Sequence, residues 1–502
     1  MSDIIIDINK KGETIQPIWK KLITAGRAAE GLREDWRKQL REVQREIGFE
    51  YIRFHGIFHD DMMVYHEKED GTPYYNWQYF DYLMDFLLEV NVRPLLELSF
   101  TPGAMATGSQ TCFWWKGNVT PPKDYKKWAA LIEETVRHCI NRYGLSEVLR
   151  WYFEVWNEPN LDYFWGGTQE EYFRLYACTA AAIKSVNPLL KVGGPSSCGF
   201  IDKKAPWLEE FLQFCTENSL PVDFITAHPY PNDSPLDADG KHVMTLDHKD
   251  RTCRDIQWIR NAVKNSVYKD AEIHLTEWSS SPSPRDLIHD TAFMAPFIIR
   301  NNLNCLGLTD SLGFWTFSDV FEETGAGDLP FHGGFGLINL QGLKKSAYYG
   351  YWFLSRLGNE KVAEGENYYI ARKDGKFQIL FWNYCHYTDA ITAGDRSALT
   401  DYDRSGAFDE KPGEISLKLE GLKAAGKYKI TQHFLGKETG SVYDVWLKNG
   451  APSSPSREEI EIFSKKSGVD SSISFIGNCG EYTAEFILQP HDVILLEVAE
   501  IV

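Results

Sequence analysis

The sequence predicts an α/β protein in which a (β/α)8 TIM barrel carries an accessory all-β sandwich domain. Three observations support this fold class. Short β-rich runs alternate with longer segments of helical period between about residues 18 and 318. Neither a G-x-G-x-x-G turn nor a P-loop, as expected of an open nucleotide-binding sheet, is present. Beyond Gly350, alternating strands and polar turns replace the helical period.

Eight strands account for the barrel region, and a helix of clear 3.6-residue period follows each of the first four. The apolar spacing predicts these helices at residues 33–48, 76–91, 125–144 and 169–186. The predicted strands are Ile18–Ala25, Tyr51–His55, Pro94–Ser99, Tyr152–Asn157, Leu190–Gly194, Asp223–His228, Glu272–Glu277 and Gly313–Phe317. Eight repeats of this kind fit a closed barrel better than an open sheet.

The two folding units divide the chain unequally. We assign residues 14–325 to the barrel, which we expect to be the catalytic domain, and residues 326–502 to the β-sandwich. The isoleucine-rich run from Ile4 to Ile8 is expected to return to the sandwich as an extra strand. Residues 1–13 would therefore join the second domain although they precede the barrel.

The charge and the cysteines limit the partners and the compartment. With 71 acidic against 53 basic residues the formal net charge is −18, which disfavours nucleic acid and anionic membranes as partners. No apolar stretch approaches the ~18 residues that cross a bilayer, and the N-terminus lacks the pattern of a signal peptide. The nine scattered cysteines never form a CxxC pair, which predicts reduced core cysteines in a cytoplasmic protein without a zinc site.

Polar side chains stand at the predicted C-terminal ends of the barrel strands. In a barrel these ends converge on one mouth, which makes their side chains candidates for function. The candidates are Arg53, His55, Asn157, Glu158, His228, Tyr230, Glu277, Trp315, Glu322 and Glu323. The aromatic content of 14% suits a sugar or another flat ligand, although the same residues could simply fill large cores.

Glu158 and Glu277 are the most informative of these residues. Each follows a strand that should be buried in the barrel wall, where an unpaired carboxylate would be costly to desolvate. Such a glutamate could be held by a structural salt bridge. Two of them at one mouth favour glycoside hydrolysis, in which one carboxyl group protonates the leaving oxygen while the other attacks the anomeric carbon or activates water.

An ordered set of motifs resembles glycoside hydrolase family 39, and within it the bacterial β-xylosidases. The motifs are "RFHGIFHDDMMVY", "FWWKGNVTPPKDY", "WNEPN", "DFITAHPYP", "HLTEWSSS", "FWTFSDVFEE" and "FHGGFGLIN", and they run through nearly the whole barrel. Asn-Glu-Pro alone is shared by many related glycosidases. The ordered set is much more specific.

The resemblance implies a retaining mechanism with Glu158 as acid/base and Glu277 as nucleophile, their carboxyl groups ~5–5.5 Å apart. Glu158 would hold a raised pKa until it gives up its proton. The resemblance further implies that Asn157 binds the sugar 2-hydroxyl and that Arg53 supports the nucleophile. The resemblance also implies that His55 and either Glu322 or Glu323 bind ring hydroxyls of the sugar. His228 and Tyr230 would line the region of the two carboxyl groups, and Trp315 would form the floor beneath the sugar. No cofactor or metal is implied.

Several of these positions also have a structural interpretation. His228 could be a core histidine, and Trp315 could pack within the barrel. Only one of the adjacent Glu322 and Glu323 is expected to face the sugar. Trp114, beside Trp115, could stack on a leaving-group sugar or belong to a surface cluster.

The sequence also departs from the family pattern. Pro282 stands where the family usually has a tyrosine that is expected to contact the nucleophile or the sugar. This departure leaves both carboxylates in place, and we expect it to bear on the fine specificity of the subsite.

The leading hypothesis is a retaining exo-β-1,4-xylosidase that acts on short, imported xylo-oligosaccharides. A second hypothesis keeps the fold and changes the sugar to a β-glucoside, an α-L-arabinopyranoside or a uronide. A uronide site needs a cation for the sugar carboxylate, and no strand end offers one besides Arg53. A third hypothesis is a non-catalytic carbohydrate-binding protein, which would be expected to have lost one glutamate. The sequence is compatible with a homo-oligomer.

Overall fold

Eight parallel strands close into a barrel in the computed structural model of the chain. The structure describes residues 2–199, 206–231, 248–321, 323–395, 397–399, 402–477 and 480–501. In chain order the barrel strands are Leu22–Arg27, Tyr51–His55, Arg93–Leu98, Tyr152–Val155, Lys191–Cys198, Phe224–His228, Glu272–Trp278 and Ser311–Phe314. Each strand pairs with its neighbours in the chain, and the eighth closes on the first. The predicted fold class is confirmed.

Four barrel strands differ from their predicted bounds by two or more residues. The eighth strand is Ser311–Phe314, so it begins two residues before and ends three residues before the predicted Gly313–Phe317. The first strand begins at Leu22 because Ile18–Lys20 forms a 3-10 helix directly after Pro17. The fifth strand extends to Cys198, four residues beyond its predicted end at Gly194. The fourth strand ends at Val155 because Trp156 takes a positive φ of 72°.

The helical layer follows the amphipathic pattern of the sequence. In Glu34–Glu46, for example, Trp36, Leu40 and Val43 are buried at helical spacing. A capping box between Thr168 and Glu171 starts the helix after the fourth strand. The α-helices of this layer are Glu34–Glu46, Gln78–Glu89, Tyr125–Tyr143, Leu145–Val148, Gln169–Val186, Trp207–Glu217, Arg251–Lys264, Met294–Asn304 and Ser346–Arg356. Among the described residues, no helix is both long and apolar enough to cross a bilayer.

The second unit is built from two sheets that enclose a separate apolar core. One sheet joins Ser2–Asp7, Gly413–Glu420 and Glu481–Leu488, so the N-terminal strand pairs in parallel with a strand more than 400 residues later. The other contains Glu13–Thr14, Glu360–Gly365, Tyr368–Lys373, Lys376–Trp382, Val493–Ile501, Lys427–Leu435 and Asp470–Gly477. Ile4, Ile370 and Leu417 lie in the core between the sheets. This part of the chain also contains short helices at Asp389–Thr392, Val442–Lys448 and Arg457–Lys466.

The loops after the barrel strands contain two minor β-hairpins. Two short hairpins, Tyr65–Glu67 with Pro73–Tyr75 and Thr111–Cys112 with Gly117–Asn118, lie in the loops after the second and third barrel strands. The second of these hairpins carries Trp114 in its turn.

The boundary between the units involves the helix Ser346–Arg356. Tyr348 and Phe353 of this helix are buried in the same apolar cluster as the barrel helices. We therefore propose a boundary near Leu357, later than the division at residues 325 and 326 expected from the sequence. The sandwich packs firmly against the barrel, since Phe408 stacks on Phe293 with ring centroids 4.8 Å apart.

Candidate active site

Arg53 occupies the centre of the barrel mouth and is fully buried. Its guanidinium meets three carboxylates: Nε donates to Glu154 at 2.8 Å, Nη1 to Glu277 at 2.6 Å, and Nη2 lies 2.6 Å from Glu97. Nη2 also donates to Asn157 Oδ1 at 2.8 Å. One cation of the second strand thus orients residues from the third, fourth and seventh strands, which a planar five-donor group can do.

Glu277 lies in the seventh strand, with both carboxylate oxygens engaged. Oε1 accepts from Arg53, and Oε2 accepts from the Tyr230 hydroxyl at 3.0 Å. Burial raises the pKa of Glu277, while the charges of Arg53 and His55 oppose that rise. These contacts stabilise the ionised form that a nucleophile requires.

Glu158 projects into the same space from the turn after the fourth strand. Its backbone takes a positive φ of 42°, and its amide donates to Ser196 O at 2.9 Å, which anchors this turn to the fifth strand. A non-glycine residue in this region of φ is strained, and such strain is typical of functional sites. Burial and the nearby charge of Glu277 raise the pKa of Glu158 well above its ordinary value. Glu158 therefore favours the protonated form.

The two carboxyl groups lie close enough to act on one bond. Glu158, His228 and Glu277 each place a ligand atom so that all three atoms lie within 4.8 Å of one another. This upper limit on the distance between one oxygen of Glu158 and one of Glu277 is compatible with the ~5–5.5 Å of a retaining pair and lies below the ~6.5–9.5 Å that leaves room for water in inverting enzymes. Within the described part of the chain, these three residues are the group that could hold a metal ion. A protonated Glu158 is a poor metal ligand.

His228 bridges the two carboxyl groups. Its Nδ1 lies 2.8 Å from Glu158 Oε1 and 3.7 Å from Glu277 Oε2, and its Nε2 lies 3.0 Å from Ser196 Oγ. Burial, with the positive charge of Arg53, holds the pKa of His228 well below its usual range. A neutral imidazole can hydrogen-bond Glu158 without adding a charge beside it.

His55, Trp315 and Glu323 line the other side of the site. His55 Nε2 lies 3.5 Å from Glu277 Oε1 and 3.8 Å from Glu323 Oε1, and its ring centroid is 4.8 Å from that of Trp315. Burial and the charges of Glu277 and Glu158 raise the pKa of Glu323 well above its usual range. Glu322 lies outside the described residues.

Asn157 presents an unused donor. Its Oδ1 accepts from Arg53, but no described residue offers an acceptor within hydrogen-bonding distance of its buried Nδ2. A buried amide nitrogen of this kind is costly unless a ligand or water satisfies it.

Trp114 lies in the turn of the hairpin that follows the third barrel strand. It is 54% exposed, and with Arg33 and Phe321 it lines a groove of about 430 Å³. The groove begins beside the site, because the Phe321 ring packs edge-on against Trp315 at 5.7 Å. Trp114 therefore lines a groove that adjoins Trp315.

The buried residues that position Arg53, His55 and Glu154 were not predicted from the sequence. Glu97 lies 2.7 Å from His55 Nδ1 as well as against Arg53, and Thr276 Oγ1 donates to Glu154 at 2.7 Å. The one signal was an acidic residue within an apolar strand, "PLLELS" for Glu97 and "YFEV" for Glu154. An isolated acid of this kind indicates a partner but does not identify it.

A second buried ion cluster supports the loop after the eighth strand. Lys345 Nζ lies 2.7 Å from Asp290 and 2.9 Å from Asp319, and all three side chains are buried. Asp319 accepts from Gly336 N at 2.6 Å, while Asp290 accepts from Gly333 N at 2.7 Å. The cluster ties the chain that follows Glu277 to the chain that surrounds Glu323.

The comparisons with known proteins agree with this geometry. Residues 2–472 match the family described as Glycosyl hydrolases family 39. A β-xylosidase from Caldicellulosiruptor saccharolyticus is 37% identical over 99% of this chain and 98% of its own. A β-xylosidase from Geobacillus stearothermophilus is 36% identical over 99% of this chain and 96% of its own.

A solved structure gives the same result for the fold. The crystal structure of a monomeric β-xylosidase from Caulobacter crescentus CB15 superposes with a TM-score of 0.91 at 32% identity, covering 99% of both chains. The similarity therefore includes the barrel and the sandwich together.

Proposed function

The chain belongs to glycosyl hydrolase family 39, and on that premise we propose that it is a retaining exo-β-1,4-xylosidase. It would release xylose from the non-reducing ends of short xylo-oligosaccharides. The observation that carries the proposal is the pair Glu158 and Glu277, whose oxygens lie within 4.8 Å of each other in unequal surroundings. Glu277 contacts a cation, whereas Glu158 contacts a neutral imidazole.

In the first step Glu277 attacks the anomeric carbon while Glu158 protonates the departing glycosidic oxygen. Arg53 and Tyr230 hold the two oxygens of Glu277, so the carboxylate is oriented before the sugar binds. The bond from the sugar to the leaving oxygen breaks as the bond to Glu277 forms. The product is a glycosyl-enzyme of inverted configuration.

In the second step Glu158 reverses its role. Esterification removes the negative charge of Glu277, which is one cause of the raised Glu158 pKa. Glu158 then loses its proton more readily and can take one from water. The hydroxide attacks the anomeric carbon, Glu277 leaves as a carboxylate, and the second inversion restores the original configuration.

Unused donors and acceptors around the pair suit a sugar. We assign Asn157 Nδ2 to the 2-hydroxyl, and His55 with Glu323 to the ring hydroxyls. Trp315 is the floor of the subsite, and Trp114 with Phe321 receives the leaving-group sugar. Arg53 is occupied by Glu97, Glu154 and Glu277, which argues against its use for the carboxylate of a uronide.

The proposal also covers the compartment and the oligomeric state of the enzyme. The eight described cysteines are free thiols, which supports a cytoplasmic enzyme that degrades imported oligosaccharides. A homo-oligomer remains a prediction that light scattering would test.

The test is a set of initial rates on aryl β-xyloside, β-glucoside, α-L-arabinopyranoside and β-glucuronide, with NMR of the first anomer released. We expect the β-xyloside to give the highest kcat/KM and β-xylose to appear before mutarotation. A faster β-glucoside or arabinopyranoside would change the assigned sugar. Initial release of α-xylose would contradict the retaining mechanism, and xylose binding without turnover would favour a binding protein.

A further inference from the structure

Two cysteines outside the active site lie in direct contact. Cys253 Sγ and Cys305 Sγ are 3.1 Å apart, so formation of a disulfide of ~2.05 Å requires an approach of only about 1 Å. Of the eight described cysteines, this is the pair whose sulfur atoms lie within hydrogen-bonding distance of each other. We propose that Cys253 and Cys305 form a redox-active dithiol that small-molecule disulfides oxidise to an intramolecular disulfide.

The surrounding contacts hold these two sulfurs together. Cys253 lies in the first turn of Arg251–Lys264, and Cys305 directly follows Met294–Asn304. On one side Arg300 Nη1 donates to Lys249 O at 2.6 Å. On the other side Arg260 Nε donates to Leu308 O at 2.7 Å. Because both bonds cross between the two helical segments, the thiols remain neighbours in the folded protein.

The environments of the two sulfurs differ in a way that assigns their roles. Cys305 is fully buried, whereas Cys253 is partly exposed, so we assign the encounter with a small oxidant to Cys253. The hydrogen bond from Cys305, with the charge of Arg300, lowers the pKa of Cys253. The same hydrogen bond and burial raise the pKa of Cys305 well above its ordinary value. Cys253 is the attacking thiol and Cys305 the resolving thiol.

The reaction is two successive exchanges. The Cys253 thiolate attacks one sulfur of a small disulfide, breaks its S–S bond and releases one small thiolate. Cys305 then loses its proton and attacks the Cys253 sulfur, which releases the second small thiolate. Two electrons pass from the protein to the small disulfide, and the two cysteine protons end on the two released thiols.

The bond would link the helices that follow the sixth and seventh barrel strands. The two cysteines are 52 residues apart in the chain, so the link removes considerable freedom from the unfolded state. The oxidised protein is therefore expected to have a higher thermal midpoint than the reduced protein. This inference does not depend on the glycosidase proposal.

The test equilibrates the folded full-length protein in glutathione buffers of increasing oxidised fraction. The samples are quenched in acid, alkylated without reduction and mapped by peptide mass spectrometry. We expect a Cys253–Cys305 linked peptide that is lighter by two hydrogens than its reduced parts, together with a raised thermal midpoint. Dithiothreitol should remove the linked peptide and return the thermal midpoint to that of the reduced protein.

Three variants separate the roles. Cys305→Ser should accumulate a glutathione adduct on Cys253, and Cys253→Ser should give neither adduct nor link. Cys215→Ser is the matched control, since Cys215 is a buried cysteine of a different helix, Trp207–Glu217, and this variant should form the link like the wild type. A wild type that carries only a mixed disulfide, links other cysteines instead, or stays reduced at every ratio would overturn the proposal.

Discussion

Arg53 Nε donates a hydrogen bond of 2.8 Å to Glu154 Oε2, and both side chains are fully buried beneath the carboxyl pair. The opposite edge of the same guanidinium donates to Glu277 at 2.6 Å. Glu154 therefore determines where Arg53 presents its donors to the nucleophile, although it does not itself line the sugar site. A buried cation with carboxylates on several sides is stable only while each partner remains in place.

Replacement of Glu154 should affect both stability and activity. Glu154→Leu leaves Arg53 Nε and the Thr276 hydroxyl without their acceptor, and we expect about 3–5 kcal/mol of lost stability with a lower kcat. Glu154→Gln keeps an oxygen at this position and should lose less stability and less activity than Glu154→Leu. Thermal unfolding and initial rates on an aryl β-xyloside measure these effects. Equal behaviour of the two variants would show that the oxygen acceptor is unimportant.

Removal of the nucleophile should abolish turnover and permit chemical rescue. Glu277→Ala should lower kcat by on the order of 10⁴-fold or more, because no covalent intermediate can form. Azide should then attack an activated aryl β-xyloside directly and give the inverted α-azide. Glu272→Ala is the control, since Glu272 lies at the opposite end of the same strand. This variant should keep the wild-type activity.

Removal of the acid/base should give the other anomer. Glu158→Ala should lower kcat by about 10²–10⁴-fold on substrates with poor leaving groups, and less on activated ones. Azide should enter after the glycosyl-enzyme forms, and the product should be the retained β-azide. NMR of the product identifies the anomer. If the two azides were exchanged between the variants, the roles of Glu158 and Glu277 would be reversed.

Local sequence signals predicted the fold and the polar ends of the strands well. The helix predicted at 33–48 spans Glu34–Glu46, because apolar period and charged ends are encoded within the segment itself. The strand-end rule also placed Arg53, Glu158 and Glu277 at one mouth, since barrel closure brings all such ends together. The first strand was displaced because Pro17 leads into a short 3-10 helix.

Partnerships between distant residues could not be read from the sequence. Glu97 and Glu154 are acids in apolar strands, and their partner Arg53 is identified only once the barrel has closed around all three. The positive φ of Glu158 likewise depends on the bond from its amide to Ser196 O. Such contacts depend on tertiary geometry, which neither periodicity nor motif spacing specifies.

The raised pKa of Glu158 should make its replacement by glutamine stabilising. The native state keeps a proton on Glu158 that the unfolded chain releases above the ordinary glutamate pKa, so wild-type stability falls as pH rises through that range. Glu158→Gln has no such loss, and its advantage should grow by up to about 1.4 kcal/mol per pH unit. Thermal midpoints near pH 5 and 7 test this. The exposed Glu458→Gln provides a control, and an advantage that shrinks with pH would contradict the sign.

Lys345 and its neighbour in the chain allow a matched test of the buried ion cluster. Lys345→Met leaves Asp290 and Asp319 buried without their cation, and we expect a loss of about 3–5 kcal/mol of stability. Lys344→Met removes ion pairs of a partly exposed lysine with Glu46 and should cost about 1 kcal/mol or less. Because the cluster supports the chain around Glu323, Lys345→Met should also raise KM for an aryl β-xyloside in the protein that remains folded. Equal losses of stability in the two variants would show that burial of the cluster does not increase the contribution of its ion pairs to stability.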